Sequence, residues 1–104
     1  MIIEQRTYTL VPGKMPEFLK IYEEFGLPVQ LPILGNLIAA MATEVGPLSQ
    51  YIHLWGYESM ADRETRRAKL ATHPDWPVYL KKALPLFQSM ENKICVPAPF
   101  SPIK

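Results

Sequence analysis

Apolar and polar positions change their period several times along this chain, and each change marks an element. Residues 2 to 11 are rich in β-branched and aromatic types, which predicts a strand, and Val11-Pro12-Gly13-Lys14 turns the chain at its end. The period then lengthens. Met15, Phe18, Leu19, Tyr22 and Phe25 recur at helical spacing, Pro16 fits a first turn, and Gly26 with Pro28 ends the run. Pro28 and Pro32 then predict an irregular connection over residues 27 to 34. Residues 36 to 45 read as a second strand, Gly46-Pro47 as the bend of an antiparallel hairpin, and residues 51 to 57 as a third strand. Ser59, boxed with Asp62, starts a helix over about 60 to 72 that Pro74 stops. Asp75 caps a further helix with Trp76, Tyr79, Leu80, Ala83, Leu84 and Phe87 as its apolar stripe and a kink at Pro85. Residues 90 to 97 form a fourth strand.

The order strand, helix, strand, strand, helix, strand is a doubled unit of the ferredoxin-like kind. The fold class is therefore α+β: a sandwich of a four-stranded antiparallel sheet with helices on one face. Residues 1–96 form the domain, and the Pro-rich residues 97–104, which cannot pair along their length, run as an extended arm. The second strand has apolar side chains on both sides, with Leu37, Ala39 and Met41 opposite Ile38, Ala40 and Ala42. Helices cover only one face of so small a sheet. A second copy of the chain, sheet against sheet, is expected to cover the other, giving a homodimer through the sheet faces. The simpler alternative is a short second strand partly covered by the Pro-rich connection.

Length and composition narrow the function classes. A chain of 104 residues, 48% hydrophobic and 20% charged, is a single globular domain. Eleven basic residues against ten acidic ones leave no basic stripe, so neither nucleic acid nor an anionic membrane surface is an expected partner. Glu4 and Arg6 fall where a signal peptide needs its apolar core, and the longest apolar run, residues 37 to 42, is too short to cross a bilayer. The expected location is the cytoplasm. The single cysteine, Cys95, lies between Ile94 and Val96 and reads as a small buried hydrophobe. His53 and His73 stand alone, so no metal site is expected.

Candidate chemistry centres on the third strand. Alternation puts Tyr51, His53, Trp55 and Tyr57 on one face, a stack of polar-tipped rings. His53 is the one imidazole on a strand and the candidate catalytic acid or base. Trp55 and Tyr57 offer a stacking wall for a flat substrate, and Ala61, Ala68 and Ala71 offer small partners for those rings. Arg6 and Tyr8 share a face of the first strand, and Arg6, Arg63 or Arg66 is placed to hold a carboxylate or enolate oxygen. Each has a plainer reading: His53 and the rings as satisfied core, Glu4 with Arg6 as a pair on the sheet, and Asp62 with Arg66 as a helix surface pair.

Arg6-Thr-Tyr8-Thr-Leu10, Pro12-Gly13-Lys14, Gly46-Pro47-Leu48, His53-Leu-Trp55-Gly-Tyr57, and Asp62-Arg63 through Arg67 to Asp75-Trp76 together resemble the NIPSNAP family over nearly the whole chain. The most specific part is the His-Leu-Trp-x-Tyr strand with the Asp-Arg-x-x-x-Arg helix start behind it. The resemblance implies a dimeric α+β barrel and a ligand cleft between sheet and helices in each subunit. It settles no activity, since larger relatives are linked to vesicle transport and mitochondrial roles, while the wider superfamily includes cofactor-independent monooxygenases, isomerases and haem enzymes. Two functions follow as expectations. One is a cofactor-free enzyme of oxygenase or isomerase type acting on a small aromatic or enolisable molecule, with His53 moving a proton. The other is a non-catalytic binding or assembly module.

Overall fold

The computed structural model describes residues 1–104. Its elements are β1 (Ile2–Leu10), α1 (Met15–Ile21), a π-helical turn (Tyr22–Gly26), α2 (Leu27–Leu34), β2 (Asn36–Ala42), β3 (Gln50–Tyr57), α3 (Met60–Ala71), α4 (Trp76–Ala83), a 3₁₀ turn (Leu84–Leu86) and β4 (Phe87–Cys95). The four strands form one antiparallel sheet in the order β2-β3-β1-β4, with the helices on one face. The ferredoxin-like α+β sandwich expected from the element order is the architecture observed.

The register of β1 on β3 sets Tyr8 opposite Tyr51, Arg6 opposite His53 and Glu4 opposite Trp55. These residues share the face under the helices, where Tyr8 and Tyr51 join Leu10, Phe18, Tyr22, Tyr79, Ala83 and Leu86 in a core dominated by rings. A smaller cluster of Leu34, Trp55, Tyr57 and Leu70 lies toward the other end of β3.

Five expectations are corrected. Residues 27 to 34 are helical, because the preceding π turn carries the chain forward with an extra residue and Pro28 falls in the first turn of α2, where its missing donor costs little. Gly26 belongs to that turn for lack of space: a Cβ there would lie 2.6 Å from the Tyr22 ring and 2.7 Å from the Tyr79 ring. β2 ends at Ala42, short of Val45, and β4 begins earlier than expected, at Phe87, because Pro85 closes the last helix in a 3₁₀ turn and releases the chain to pair with β1. Cys95 is exposed, since β4 is an edge strand and Cys95 points away from the helices, opposite Ile3. Ala61, Ala68 and Ala71 are also exposed; the sheet-facing side of α3 is instead the stripe of Arg63, Arg67 and Leu70.

No helix covers the second face of the sheet. It carries Ile3, Thr7, Ile52, Leu54, Ala39 and Met41, and turns polar along β4 at Ser89, Glu91 and Lys93. The molecule is accordingly thin, 39 × 36 × 19 Å, and its radius of gyration is 14.1 Å. A compact domain of this length is expected near 13 Å. The chain from residue 97 onward has no strand or helix, and Phe100 there is 89% exposed.

Candidate functional site

Glu4 anchors the buried polar layer on which the site is built. Its carboxylate is fully buried, yet Arg63 grips it at 3.2 and 2.8 Å, Asn92 donates to it at 2.7 Å and Arg6 at 3.0 Å. Burial alone pushes a carboxyl's pKa upward; here the hydrogen bonds from Arg63 and Asn92 and the charges of both arginines outweigh it and hold Glu4 down at about 2. Arg63 is thereby committed to Glu4. Arg66 is committed elsewhere, to Asp62 at 2.9 Å and to the Ile33 and Leu34 carbonyls at the end of α2. The two helix arginines read from the sequence as anion ligands are thus both engaged within the chain, and neither lines the cleft described below.

Above this layer, between β1, β3 and the helices, lies a cleft of about 200 Å³ whose polar groups include Arg6, Tyr8, His53, Gln30 and Arg67, and whose apolar walls include Trp76, Tyr79 and Phe87. The sequence brought Arg6, Tyr8 and His53 forward, and the fold brings all three together here. Trp55 and Tyr57 sit below, in the smaller core cluster. Arg67 and Gln30 were missed as site residues. Arg67 belongs to the face of α3 that also carries Arg63 and Leu70, a spacing visible in the sequence once the sheet-facing side is known. Gln30 shares a four-residue spacing with Gly26 and Leu34, and was hidden by the prolines of α2.

His53 sits on the cleft floor at 1% exposure, edge-on to Tyr8, Tyr22, Tyr51 and Trp55 at centroid distances of 5.1–6.0 Å. Burial, and then the nearby charges of Arg6 and Arg67, lower its pKa to about 3 against the opposing pull of Glu4, so the ring is neutral at physiological pH. Trp55 Nε1 donates to His53 Nδ1 at 3.1 Å, and His53 Nε2 lies 3.3 Å from the Tyr8 hydroxyl. Arg6 Nε reaches the same hydroxyl at 2.8 Å. Tyr8 is clamped between Phe87, stacked at 4.9 Å, and Tyr51, stacked at 6.2 Å. Tyr22 donates to Gln30 Oε1, and burial followed by the neighbouring phenols raises the Tyr22 pKa, so that hydroxyl keeps its proton.

Arg6, Arg63 and Arg67 surround this region, against Glu4 as the one buried carboxylate among them. The local balance is an excess of cation in a half-enclosed, ring-lined space. Arg67 forms no ion pair, and its Nη1 is buried without a hydrogen-bond partner, as is the hydroxyl of Tyr57 beside it. No group of three or more His, Cys, Asp or Glu side chains is placed to hold a metal ion. A wider depression of about 330 Å³ at the β2 edge is lined by Leu19, Leu27, Met41 and other apolar residues, with Glu23 as its one charge; it lacks converging polar groups.

A family model described as NIPSNAP matches residues 3–102. The chain is 30% identical to protein NipSnap homolog 1 of Danio rerio and 29% identical to protein NipSnap homolog 2 of Homo sapiens; both alignments cover 99% of this chain but only 36% and 35% of those proteins. It therefore spans just over a third of the length of these curated relatives. Among solved structures, a NIPSNAP family protein from Agrobacterium tumefaciens superposes with a TM-score of 0.97 at 48% identity, over 99% of this chain and 98% of that one. A NIPSNAP-like domain protein from Burkholderia xenovorans gives 0.94 at 45% identity, over 97% and 88%. An antibiotic biosynthesis monooxygenase gives 0.67 at 10% identity, over 95% and 100%, a likeness of fold alone. No helix is long and apolar enough to cross a membrane.

Proposed function

This chain belongs to the NIPSNAP family, and on that premise we propose that its cleft binds a small planar organic anion, aromatic or enolisable, for proton-transfer chemistry that needs no cofactor, of the isomerase or oxygenase type. The observation that carries this reading is Arg67, a cation on the cleft wall with no carboxylate of its own, facing a neutral His53 beside Arg6. A guanidinium in that position matches a ligand carboxylate or enolate. The rings of Trp76, Tyr79 and Phe87 suit a flat hydrocarbon body, and the volume, below the roughly 300–1,000 Å³ of drug-sized sites, limits the ligand to one ring and a short polar tail.

The same reading includes a homodimer built through the open sheet faces and a cytoplasmic location. The apolar patch of Ile3, Ile52, Leu54 and Met41 and the thinness of a single subunit support the dimer. A second reading, a non-catalytic assembly module, is favoured by the arm of residues 97–104, where Phe100 stands in solvent. Calorimetric titration separates the two. Phenylpyruvate is expected to bind in the micromolar to millimolar range, while the uncharged phenylacetone binds at least about tenfold more weakly. Arg67→Met is expected to erase that difference. Equal affinity for both probes, or no heat with either, removes the anion site and leaves the assembly module.

A further inference from the structure

The donor and acceptor roles around His53 are fixed by a group that has only one option. An indole N–H donates and never accepts, so the bond from Trp55 Nε1 requires a lone pair on His53 Nδ1. The neutral ring then carries its proton on Nε2, and Nε2–H points at the Tyr8 hydroxyl. Arg6 Nε, which is also a donor only, meets the same oxygen at 2.8 Å. The phenolic oxygen thus receives two hydrogen bonds, one of them from a cation, and both of its lone pairs are taken. Its own proton has nowhere to go among these partners and must turn toward the cleft that Tyr8 lines.

We propose that Tyr8 is the catalytic residue that hands a proton to an oxygen of the bound molecule, and that His53 is a positioning residue for Tyr8. This rests on the anion-binding reading of the cleft. As an enolisable ligand loses a proton from carbon to a water molecule, negative charge gathers on its oxygen. The Tyr8 O–H bond then breaks, an enol O–H forms, and the charge passes to the Tyr8 oxygen. There the Arg6 Nε–H and the His53 Nε2–H already point at it, an arrangement that needs no reorganisation when the charge arrives. The hydronium returns its proton to the phenolate and closes the cycle. His53 itself is unsuited to take the ligand's proton: its free lone pair is occupied by Trp55, and its other nitrogen already bears hydrogen.

The test follows hydrogen–deuterium exchange at the methylene carbon of phenylpyruvate by NMR in D₂O, with binding measured in parallel. Tyr8→Phe keeps the ring stack on Phe87 and Tyr51 and removes only the hydroxyl. It is expected to bind phenylpyruvate within about tenfold of the parent while losing about 100-fold or more of the exchange rate. His53→Gln, whose amide can still donate to Tyr8, is expected to keep most of the rate, and His53→Leu to lose it with binding intact. Exchange undiminished in Tyr8→Phe, or parent protein that binds the probe without accelerating exchange, overturns the Tyr8 assignment and leaves the binding site standing. Absence of phenylpyruvate binding to the parent overturns the underlying reading, and this inference with it.

Discussion

Trp55 and His53, two residues apart on β3, are joined by a 3.1 Å bond from the indole nitrogen to Nδ1. The edge-to-face rings of one strand face therefore do more than fill space, because the lower ring sets the tautomer of the one above it. Trp55→Phe keeps the ring and deletes the donor. In long-range ¹H–¹⁵N spectra the parent is expected to show His53 as the pure Nε2–H tautomer at pH 7, and Trp55→Phe to shift signal toward the Nδ1–H form, which Tyr51 at 3.5 Å can accept. An Nδ1–H tautomer in the parent contradicts this wiring.

His53 also makes the fold sensitive to acid. Its folded pKa is lowered from 6.5 to about 3, so as pH falls below 6.5 the unfolded chain takes up a proton that the folded chain refuses. The stability it contributes is present above pH 6.5 and drains at up to about 1.4 kcal/mol per unit as pH drops toward 3. Glu4, held at about 2 instead of 4.5, adds its own loss only below pH 4.5. Urea unfolding of His53→Gln is therefore expected to be nearly flat between pH 6.5 and 4.5, where the parent slopes. Parallel slopes in parent and variant contradict the assignment.

Arg63 is bound to Glu4 by two hydrogen bonds, and Glu4 has no exposure to water. Removing one partner leaves a buried charge undercompensated, an effect on the order of 3 kcal/mol. Arg63→Ala is expected to lower the unfolding free energy by roughly that amount at pH 7. It is also expected to shrink the decline between pH 4.5 and 2, because the folded Glu4 pKa moves back toward its unfolded value. A loss below about 0.5 kcal/mol would show that Arg63 acts as an ordinary surface cation.

The open sheet face makes the fourth prediction. Sedimentation is expected to give twice the 11.9 kDa chain mass, and Leu54→Arg, placed at the centre of that face, to give a folded monomer with an unchanged far-ultraviolet spectrum. A monomeric parent at micromolar concentration removes the dimer.

Much of this fold was legible because alternation on the strands and the Ser59 box are local signals. Asp62 N does donate to Ser59 Oγ, at 3.1 Å, where the sequence placed the cap. The helix over Leu27–Leu34 was not legible, since its two prolines read as breakers and nothing local announces the π turn that precedes α2 and leaves Pro28 in its first turn. For the site, the sequence could place His53, Tyr8 and Arg6 on strand faces, but strand register alone decided that Arg6 lies opposite His53. Among Arg63, Arg66 and Arg67, composition offers no choice. Glu4 took Arg63, Asp62 and the end of α2 took Arg66, and Arg67 was left for the cleft. Glu4 read only as a partner for Arg6 on the sheet, because its burial also depends on Arg63 and Asn92, which are distant in sequence.

Anomalous scattering from a crystal soaked in 4-bromobenzoate tests the central claim most directly, since the bromine locates the ring without ambiguity. The expected peak lies among Trp76, Tyr79 and Phe87, with the carboxylate within hydrogen-bonding distance of Arg67 or Arg6. A peak confined to the apolar depression at the β2 edge, or none in either place, would contradict an anion site in this cleft.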